Sequence, residues 1–489
     1  MVPGIRKKLT SPDFLLFSGL VSLNLILKGI YLGANSIAGD EPFSIYFAQM
    51  GVSDLISCLK DGNNPPLFEI LLHYWIRMFG ITPVAVRTLP MVFSALTAGI
   101  IYRIGADHFG KPSAIIAALL FTFSNYHTGF AHETRVYSLF ALLTVTSMAG
   151  FLRMASGRNT RSAFVWMTLS NILLGYAHYL GFAVAILQAI VLLLSREVRN
   201  RAGKALFVSL VLCLAVASPS LLTAAVRFRQ SAAGGTWVPP SSWEDLYTML
   251  WRWSNAPVTT VLILAFLMAA AGKAWSSKSF RPALPLKILL TWFFLPFLAM
   301  HLISLRNFPY HVPMFLDRYV VFISPAFYLL VGGACSYLAG KAILFRIISV
   351  APVIVMLGTF RPDVSNKREV EPLMKEVQSR KDEKTAVCFC PSAFRYNFLY
   401  YYDPGTFRST ALDPSGKLLQ AYFLAHKIYP ADHAGELRTD SVSRVLYLDA
   451  GADFASPGNN ILNDLTARMG TPVKAEFPEI FKLYVFENR

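Results

Sequence analysis

Long apolar stretches, each separated from the next by a short polar loop, follow one another through the first 360 residues of the chain. A helix that crosses a bilayer needs about 20 such residues. The pattern therefore predicts eleven membrane-spanning helices, at 14–33, 84–105, 113–131, 134–152, 162–178, 179–195, 205–225, 257–272, 286–305, 319–340 and 342–360. Segments 41–59 and 65–80 of the long loop at 34–83 have the periodicity of helices that lie flat at the membrane interface.

Residues 361–489 show a different pattern, in which short helical and strand-like segments alternate. Helical periodicity is found in KREVEPLMKEVQSR, AFRYNFLYYY, SGKLLQAYFLAHKIY and NNILNDLTARM, whereas TAVCFC, SRVLYLD and FKLYVFE are typical of strands. We therefore predict a transmembrane domain over 1–360, with its first outer loop at 34–83, and a small soluble α/β domain over 361–489. Cys388 and Cys390 share one face of a predicted strand, which favours buried structural cysteines over a zinc site.

The composition agrees with a polytopic membrane protein. Of the 489 residues, 54% are hydrophobic and 15% are charged, whereas soluble domains carry about 25% charged residues. The net charge of +16 raises the question of nucleic-acid binding, but residues 361–489 hold 17 basic and 17 acidic side chains, so the whole excess lies in the membrane part. The sequence thus excludes a soluble cytosolic enzyme and offers no basic face for nucleic acid.

The distribution of basic residues predicts the orientation in the membrane. If the N-terminus is cytoplasmic, 18 of the 28 basic residues of 1–360 fall in inside loops, beginning with Arg6, Lys7 and Lys8. This excess is the bias that orients membrane helices. We therefore expect a multi-pass protein of the bacterial inner (cytoplasmic) membrane, whose odd number of spans places the C-terminal domain on the periplasmic or extracytoplasmic side.

Ionisable and aromatic side chains gather at the predicted outer ends of the spans. Asp40 and Glu41 follow the first span directly. A carboxylate at the edge of the hydrocarbon is costly to desolvate, and such groups are commonly functional. The alternative for Asp40 is an N-cap, because Pro42 follows in the first turn of a predicted helix. Further candidates at the same predicted depth are Arg87, Glu133, Arg135, Tyr137, His178, Tyr179, Arg318 and Tyr319. Taken one at a time, such residues are more often interfacial anchors or caps than ligands.

These outer-edge segments resemble motifs of the GT-C integral membrane glycosyltransferases, in particular the protein O-mannosyltransferases and the lipid A aminoarabinosyltransferases. The resemblance covers about 320 residues in family order, and it is carried by GDEPFSIYFAQ, NNPPLFEILLHYWIRMFG, VRTLPMVFSAL, SNYHTGFAHETRVYSLFALL, GYAHYLGFAVAILQ and DRYVVFISPAFYLL. The sequence departs from the family at Asn64, where His is common, and at His132, where Gln is common.

The resemblance implies transfer of a sugar from a polyprenyl-phosphate-linked donor to an acceptor hydroxyl on the outer face of the membrane, with inversion. Asp40 matches the general base of the family's first outer loop. Glu41 and Glu133 would orient the acceptor or an arginine, and His178 with Tyr179 would line the donor pocket. The remaining donor-binding candidates, which would face the phosphate or the sugar, are Arg87, Arg135, Tyr137, Arg318 and Tyr319.

Several alternatives stay open at this point. A transporter or flippase of lipid-linked saccharides would use similar residues, although transporters tend to hold them near the bilayer midplane. The C-terminal domain would act as a binding module or as a cover for the active site. No definite cofactor is predicted, and a divalent metal remains an alternative because the carboxylates and histidines show no recognisable ligand spacing. The sugar, and whether the acceptor is a lipid, glycan or protein, are not defined by the motifs.

Overall fold

The computed structural model describes residues 11–60, 62, 64–158, 160–234, 238–277, 279–308, 311–340, 343–363, 368–437, 442–477 and 481–487. Within them the chain forms two compact units. The helical unit consists of the described residues of Met1–Ile30, Leu59–Phe68 and Thr88–Pro362, and the mixed unit consists of Tyr31–Cys58, Glu69–Arg87 and the described residues of Asp363–Arg489. Five of the basic residues predicted for inside loops, Arg6, Lys7, Lys8, Lys278 and Lys341, lie outside the described residues.

The first 363 residues are helical wherever regular structure is described. The helices are α1 (Pro12–Gly29), α2 (Glu41–Ala48), α3 (Val52–Leu59), α4 (Leu67–Phe79), α5 (Pro83–His108), α6 (Lys111–Thr122), α7 (Asn125–Ala131), α8 (Tyr137–Ala155), α9 (Arg161–Ala177), α10 (Phe182–Leu194), α11 (Arg196–Gly234), α12 (Glu244–Trp253), α13 (Pro257–Ser276), α14 (Leu284–Ser304), α15 (Ser324–Ala339), α16 (Ile343–Ile348) and α17 (Ala351–Gly358).

Among the described residues, six helices are long and apolar enough to cross a membrane: α1, α5, α8, α11, α13 and α14. The pair α6 and α7, which is bent by 61°, would make a seventh span. Each of the eleven predicted spans overlaps a helix or a pair of helices, so a multi-pass membrane protein is confirmed, whereas the number eleven stays a prediction. The predicted span at 342–360 is divided between α16 and α17, and Pro352 lies in the first turn of α17, where a proline is tolerated well.

Helices α8, α9 and α10 are joined by a closed ring of buried hydrogen bonds. The Ser147 hydroxyl donates to Asn171 over 2.6 Å, the Asn171 amide donates to Gln188 over 2.8 Å, and the Gln188 amide donates back to Ser147 over 2.7 Å. Gly150 lets α8 and α9 approach closely, since a Cβ there would lie 2.6 Å from the Ala163 carbonyl oxygen. Small residues and side-chain hydrogen bonds of this kind are the usual means by which helices associate in lipid.

The mixed unit contains the strands predicted in 361–489. Its five described strands pair in the order β2-β1-β3-β5-β4, where β1 is parallel to β2 and β3, and β5 is antiparallel to β3 and β4. The strands are β1 (Thr385–Cys390), β2 (Ile428–Pro430), β3 (Arg444–Ala450), β4 (Val473–Glu476) and β5 (Phe481–Glu487), and the helices are α18 (Val370–Arg380), α19 (Arg395–Tyr402), α20 (Pro404–Thr410), α21 (Lys417–Ala425) and α22 (Asn460–Met469). The short strands β2 and β4 and helix α20 were not predicted.

Both faces of strand β1 are buried. Cys388 and Cys390 pack with Tyr447, Ile461 and Leu465 on one face, as their spacing of two residues in TAVCFC indicated. On the other face, the ring of Phe389 stacks on that of Phe398 at 5.2 Å. Burial on both sides explains why β1 reads as a continuous apolar run and not as an alternating one.

The first outer loop belongs to the mixed unit for most of its length, which differs from the expected boundary at 360 and 361. Tyrosines of α19 contact this loop through ring packing and a hydrogen bond. Tyr396 packs on Tyr46 with ring centroids 4.8 Å apart, and the hydroxyl of Tyr400 donates to the Ile81 carbonyl over 2.8 Å. The segment RYNFLYYY therefore has a role that its helical periodicity alone did not reveal, namely to hold residues of 34–83 against the C-terminal part of the chain.

Candidate functional site

Asp40 lies at the N-terminal boundary of α2, directly after a turn. Gly39 has a φ of +61°, which a residue with a side chain adopts at a cost, and a Cβ there would also collide with the Arg368 guanidinium. Although Asp40 occupies the N-cap position, its carboxylate accepts no capping hydrogen bond from the helix. It is exposed, whereas the neighbouring Glu41 is 2% exposed. The N-cap alternative for the Asp40 side chain therefore finds no support in the geometry.

Glu41 and Arg87 form a buried ion pair. The guanidinium binds the carboxylate through two hydrogen bonds, with Nε 2.9 Å from Oε1 and Nη2 2.7 Å from Oε2. Its other three N–H groups donate to the carbonyls of Leu32, Asn35 and Ser36. All five N–H groups of Arg87 are thus engaged within the mixed unit, and none is left for a phosphate in this conformation. Glu41 orients an arginine, and Arg87 braces the turn that precedes Asp40.

Two side chains of α19 hold the same turn. The Tyr401 hydroxyl accepts from the backbone N–H of Ile37 at 2.6 Å, and the Asn397 amide donates to the carbonyl of Gly39 at 3.0 Å. Burial raises the pKa of Tyr401 to about 12, so this hydroxyl stays neutral at physiological pH. The residue immediately before Asp40 is therefore fixed by the C-terminal part of the chain, and no pattern in the sequence predicted this contact.

Several predicted donor-binding residues come together in the helical unit. The Arg318 guanidinium lies over the ring of Tyr137, 5.9 Å from its centroid. The ring of His178 stacks on that of Phe140 at 4.8 Å with an angle of 4°, and it also lies 5.7 Å from the ring of Tyr319. Segments that are 180 residues apart in sequence thus form one cluster of a cation, an imidazole and aromatic rings.

His178 presents a hydrogen-bond donor with no partner among the described residues. Its Nδ1 accepts from the backbone N–H of Leu180 at 3.1 Å, so the neutral ring carries its proton on Nε2. That Nε2 is buried and makes no hydrogen bond to the part of the chain that the structure describes. Because buried donors are normally paired, Nε2 is suited to a ligand oxygen.

The other predicted residues lie close in the chain to this cluster. Arg135 is buried and Glu133 half-buried, and the backbone N–H of Arg135 donates to the Glu133 carbonyl at 2.7 Å. The half-buried Tyr179 follows His178, and its hydroxyl lies 3.5 Å from the Gly62 carbonyl. Asp317 fixes the position of Arg318, because its carboxylate accepts the backbone N–H of Arg318 at 2.7 Å.

Comparison with known proteins agrees with these observations. The family model of dolichyl-phosphate-mannose-protein mannosyltransferases matches residues 63–222. The structure of ArnT from Cupriavidus metallidurans bound to undecaprenyl phosphate aligns with a TM-score of 0.60 and 11% identity, over 95% of this chain and 97% of that one. Among curated proteins, none matches this sequence.

Two structures of an archaeal enzyme are also similar. The Archaeoglobus fulgidus oligosaccharyltransferase in complex with zinc and sulfate aligns with a TM-score of 0.54 and 11% identity, over 94% of this chain and 72% of that one. The oligosaccharyltransferase AglB from the same organism, in complex with an inhibitory peptide and a dolichol-phosphate, aligns with a TM-score of 0.50 and 11% identity, over 95% and 74% of the two chains.

This chain shares the fold of ArnT and AglB, and its residues 63–222 match the mannosyltransferase family model. The resemblance drawn from the span-end motifs is thereby confirmed. The family match includes Arg87, Glu133, Arg135, Tyr137, His178 and Tyr179, whereas Asp40, Glu41, Arg318 and Tyr319 lie outside it. With identities near 11%, the structural matches establish the fold, and the roles of individual residues remain to be proposed.

The helical unit also contains a fully buried lysine that was not predicted as a site residue from the sequence. Lys28, near the end of α1, is 0% exposed, and its Nζ lies 2.8 Å from the Ser94 hydroxyl and 4.7 Å from the centroid of Phe121. His132 makes a hydrogen bond to the Lys28 carbonyl at 2.7 Å. The available signal was a lysine inside an apolar span, since ionisable residues there are usually functional.

No group of three or more His, Cys, Asp or Glu side chains that could hold a metal ion occurs among the described residues. The cationic and aromatic cluster suits a phosphate and a sugar, and the exposed Asp40 suits a reacting hydroxyl.

Proposed function

We propose that this protein transfers a sugar from a polyprenyl-phosphate-linked donor to a hydroxyl group of an acceptor, with inversion at the anomeric carbon. The proposal is supported by the GT-C fold and by the family match to dolichyl-phosphate-mannose-protein mannosyltransferases. It is also supported by the fold shared with ArnT bound to undecaprenyl phosphate and with AglB bound to a dolichol-phosphate. A transporter gains no specific support from these relatives.

In the proposed reaction, Asp40 accepts the proton of the acceptor hydroxyl as its oxygen attacks the anomeric carbon. The bond between that carbon and the phosphate oxygen breaks, and polyprenyl phosphate leaves with both bonding electrons. A carboxylate within hydrogen-bond reach is the general base that this attack requires. The observation that carries the assignment is the contrast at 40 and 41, where Glu41 is buried on Arg87 while Asp40 is exposed and does not cap its helix.

The leaving phosphate gains negative charge, and cations that are fixed in advance stabilise such charge. We assign this role to Arg318, Arg135 and Lys28, and we assign the donor sugar or phosphate oxygens to His178, Tyr137, Tyr179 and Tyr319. We do not assign Arg87 to the donor, although the sequence made it a donor-binding candidate. Its five N–H groups are engaged in holding Glu41 and the turn before Asp40. Glu133 is proposed to orient Arg135 or the acceptor.

The Asp40→Asn variant tests the base. The carboxamide keeps the shape but cannot accept the proton, so we expect transfer to fall by about 100-fold or more, while the variant folds and still binds the donor. The matched control is Asp54→Asn, an exposed aspartate of the same loop in α3, which should keep wild-type activity. Mass spectrometry of surface glycolipids and glycoproteins, from cells that carry each variant, reports transfer. Wild-type turnover by Asp40→Asn would refute the assignment.

We also propose that the N-terminus is cytoplasmic and that the C-terminal domain lies on the extracytoplasmic side of a bacterial inner membrane. The bias of basic residues toward predicted inside loops supports this orientation. Alkaline phosphatase fused after Arg361 should be active, whereas a green fluorescent protein fused at the same place should not fluoresce after export by the general secretion route. The opposite pair of results would reverse the orientation.

A further inference from the structure

The mixed unit contains a cavity of about 620 Å³ that has not been used in the account above. Ligand sites occupy roughly 300–1,000 Å³. The cavity is lined by residues of α2, α19, α21 and β2 and of the turn at 413–416. All of them belong to the mixed unit, and they include neither Asp40 nor any residue that we assigned to the donor.

The cavity lies at the carboxyl ends of the parallel strands β1 and β2. Arg395 and Tyr396 come shortly after the end of β1, and Glu436 comes shortly after the end of β2. Asp432 ties the two connections together, because its carboxylate accepts both the N–H and the hydroxyl of Ser392, at 2.8 and 2.7 Å. This edge of a parallel sheet is where α/β domains commonly hold ligands.

One wall of the cavity is aromatic and rigid. Tyr46, Phe47 and Tyr396 line it and pack against one another, with ring centroids 4.8 to 5.8 Å apart. Such rings present electron-rich faces to weakly positive C–H groups, and the faces of a sugar ring consist of C–H groups. The wall therefore suits a pyranose better than a phosphate or a carboxylate.

Two further lining residues, Arg395 and Gln420, carry polar groups that can bind hydroxyls. Arg395 donates from Nε to the Ser392 carbonyl at 2.9 Å, and its Nη1 and Nη2 make no hydrogen bond to the described residues. The side chain of Gln420 likewise makes none to the described part of the chain. A guanidinium and an amide offer planar pairs of donors or acceptors, which match vicinal hydroxyl groups.

The charged side chains that line the cavity are of both signs. Arg395 is opposed by Asp413 and Glu436, and the carboxylates of both are already engaged by backbone N–H groups. Hydrogen bonds from the backbone N–H of Leu418 and from the Ser415 hydroxyl lower the pKa of Asp413, which is therefore ionised at neutral pH. No cluster of one sign that would select an anionic or a cationic ligand is present among the described lining residues.

We propose that this cavity binds an uncharged glycan portion of the acceptor, next to the hydroxyl that is glycosylated. The inference rests on the proposed function, because it makes the cavity a subsite of the same enzyme. The half-buried Phe47 stands seven residues after Asp40, which at about 1.5 Å per residue is about 10 Å along α2. A glycan of a few sugars bound at Phe47 thus reaches the general base, and the C-terminal domain contributes to the choice of acceptor.

The test is binding without transfer. The full chain in detergent micelles, with no donor added, is mixed with neutral trisaccharides of mannose, glucose and N-acetylglucosamine, with glucose 6-phosphate and with a threonine-containing tripeptide. Saturation-transfer NMR should detect at least one neutral trisaccharide. Arg395→Ala and Gln420→Ala should each weaken that binding by about tenfold, the loss expected for one removed charge-assisted or paired hydrogen bond. The matched control Arg408→Ala, an exposed arginine outside the cavity, should bind as the wild type does.

The outcomes separate this inference from the proposed function. Asp40→Asn should bind the trisaccharide as tightly as the wild type, because binding involves no proton transfer. In assays of transfer, Arg395→Ala should raise the acceptor KM and leave kcat within about twofold of wild type, as expected when ground-state binding alone is lost. Binding of only the tripeptide or only glucose 6-phosphate, no binding at all, or binding unaffected by Arg395→Ala and Gln420→Ala would overturn the glycan subsite, whatever Asp40→Asn shows.

Discussion

Arg87 and Lys28 are both buried cations, but they are satisfied very differently. Arg87 is 1% exposed, meets the Glu41 carboxylate and uses all five of its N–H groups. Lys28 is 0% exposed, and its Nζ makes one hydrogen bond, to Ser94, and lies over one aromatic ring, that of Phe121. Among the described residues, no carboxylate pairs with it. Burying a charge is costly unless it is paired and fully hydrogen-bonded.

The difference indicates what each cation does. Arg87 has its counter-ion within the chain, so its role is to hold the turn before Asp40. Lys28 lacks such a counter-ion, and the contact with Phe121 recovers only part of the cost of burial. A substrate anion would complete its environment, which is why we count Lys28 among the groups that bind the donor phosphate. Substitution of Arg87 should therefore reduce the stability of the fold, whereas substitution of Lys28 should impair the use of the donor.

The largest effect is expected for Arg87→Met. The substitution leaves Glu41 buried without its partner and frees three carbonyls, and breaking a buried ion pair by removing one partner costs about 3–5 kcal/mol. The variant should lose most of its thermal stability in detergent. Arg153→Met is the matched control, because Arg153 also binds a carboxylate through two nitrogens, Asp107 at 2.6 and 2.8 Å, but is partly exposed. It should lose about 0–1 kcal/mol. Equal losses in the two variants would contradict the structural role of Arg87.

Arg87 and Lys28 also show which features could be predicted from the sequence and which could not. The apolar runs predicted the helices and the alternating patterns predicted the strands, because burial imposes periods that can be read from one segment at a time. The order of motifs predicted the family. What Arg87 does could not be read in this way, since its partners at 32–41 are distant in sequence and three of them are backbone carbonyls. The charge of Lys28 was visible, but its burial depends on α5 and α6.

A smaller effect is expected for Lys28→Met. Methionine fills a similar volume without the charge, and replacing a buried charge by an apolar group is often neutral or stabilising. Thermal stability should not fall, whereas KM for the polyprenyl-phosphate donor should rise by about tenfold, the equivalent of about 1.4 kcal/mol. Lys273→Met is the matched control. Lys273 also lies 4.7 Å from a ring centroid, that of Tyr337, but it is exposed. Unchanged donor kinetics in Lys28→Met would remove Lys28 from the phosphate site.

The smallest effect is expected for Tyr401→Phe, which weakens the support of the turn that Arg87 braces. The substitution removes the hydroxyl that accepts the Ile37 N–H, a bond worth about 1 kcal/mol, and a slight displacement of Asp40 should lower kcat by about threefold to tenfold. Because burial raises the pKa of Tyr401 to about 12, the loss should be the same at pH 6 and pH 9. The control is Tyr402→Phe, whose hydroxyl has no hydrogen-bond partner among the described residues. If both variants keep full kcat, α19 does not position Asp40 through Tyr401, and the turn is supported by Arg87 and Asn397.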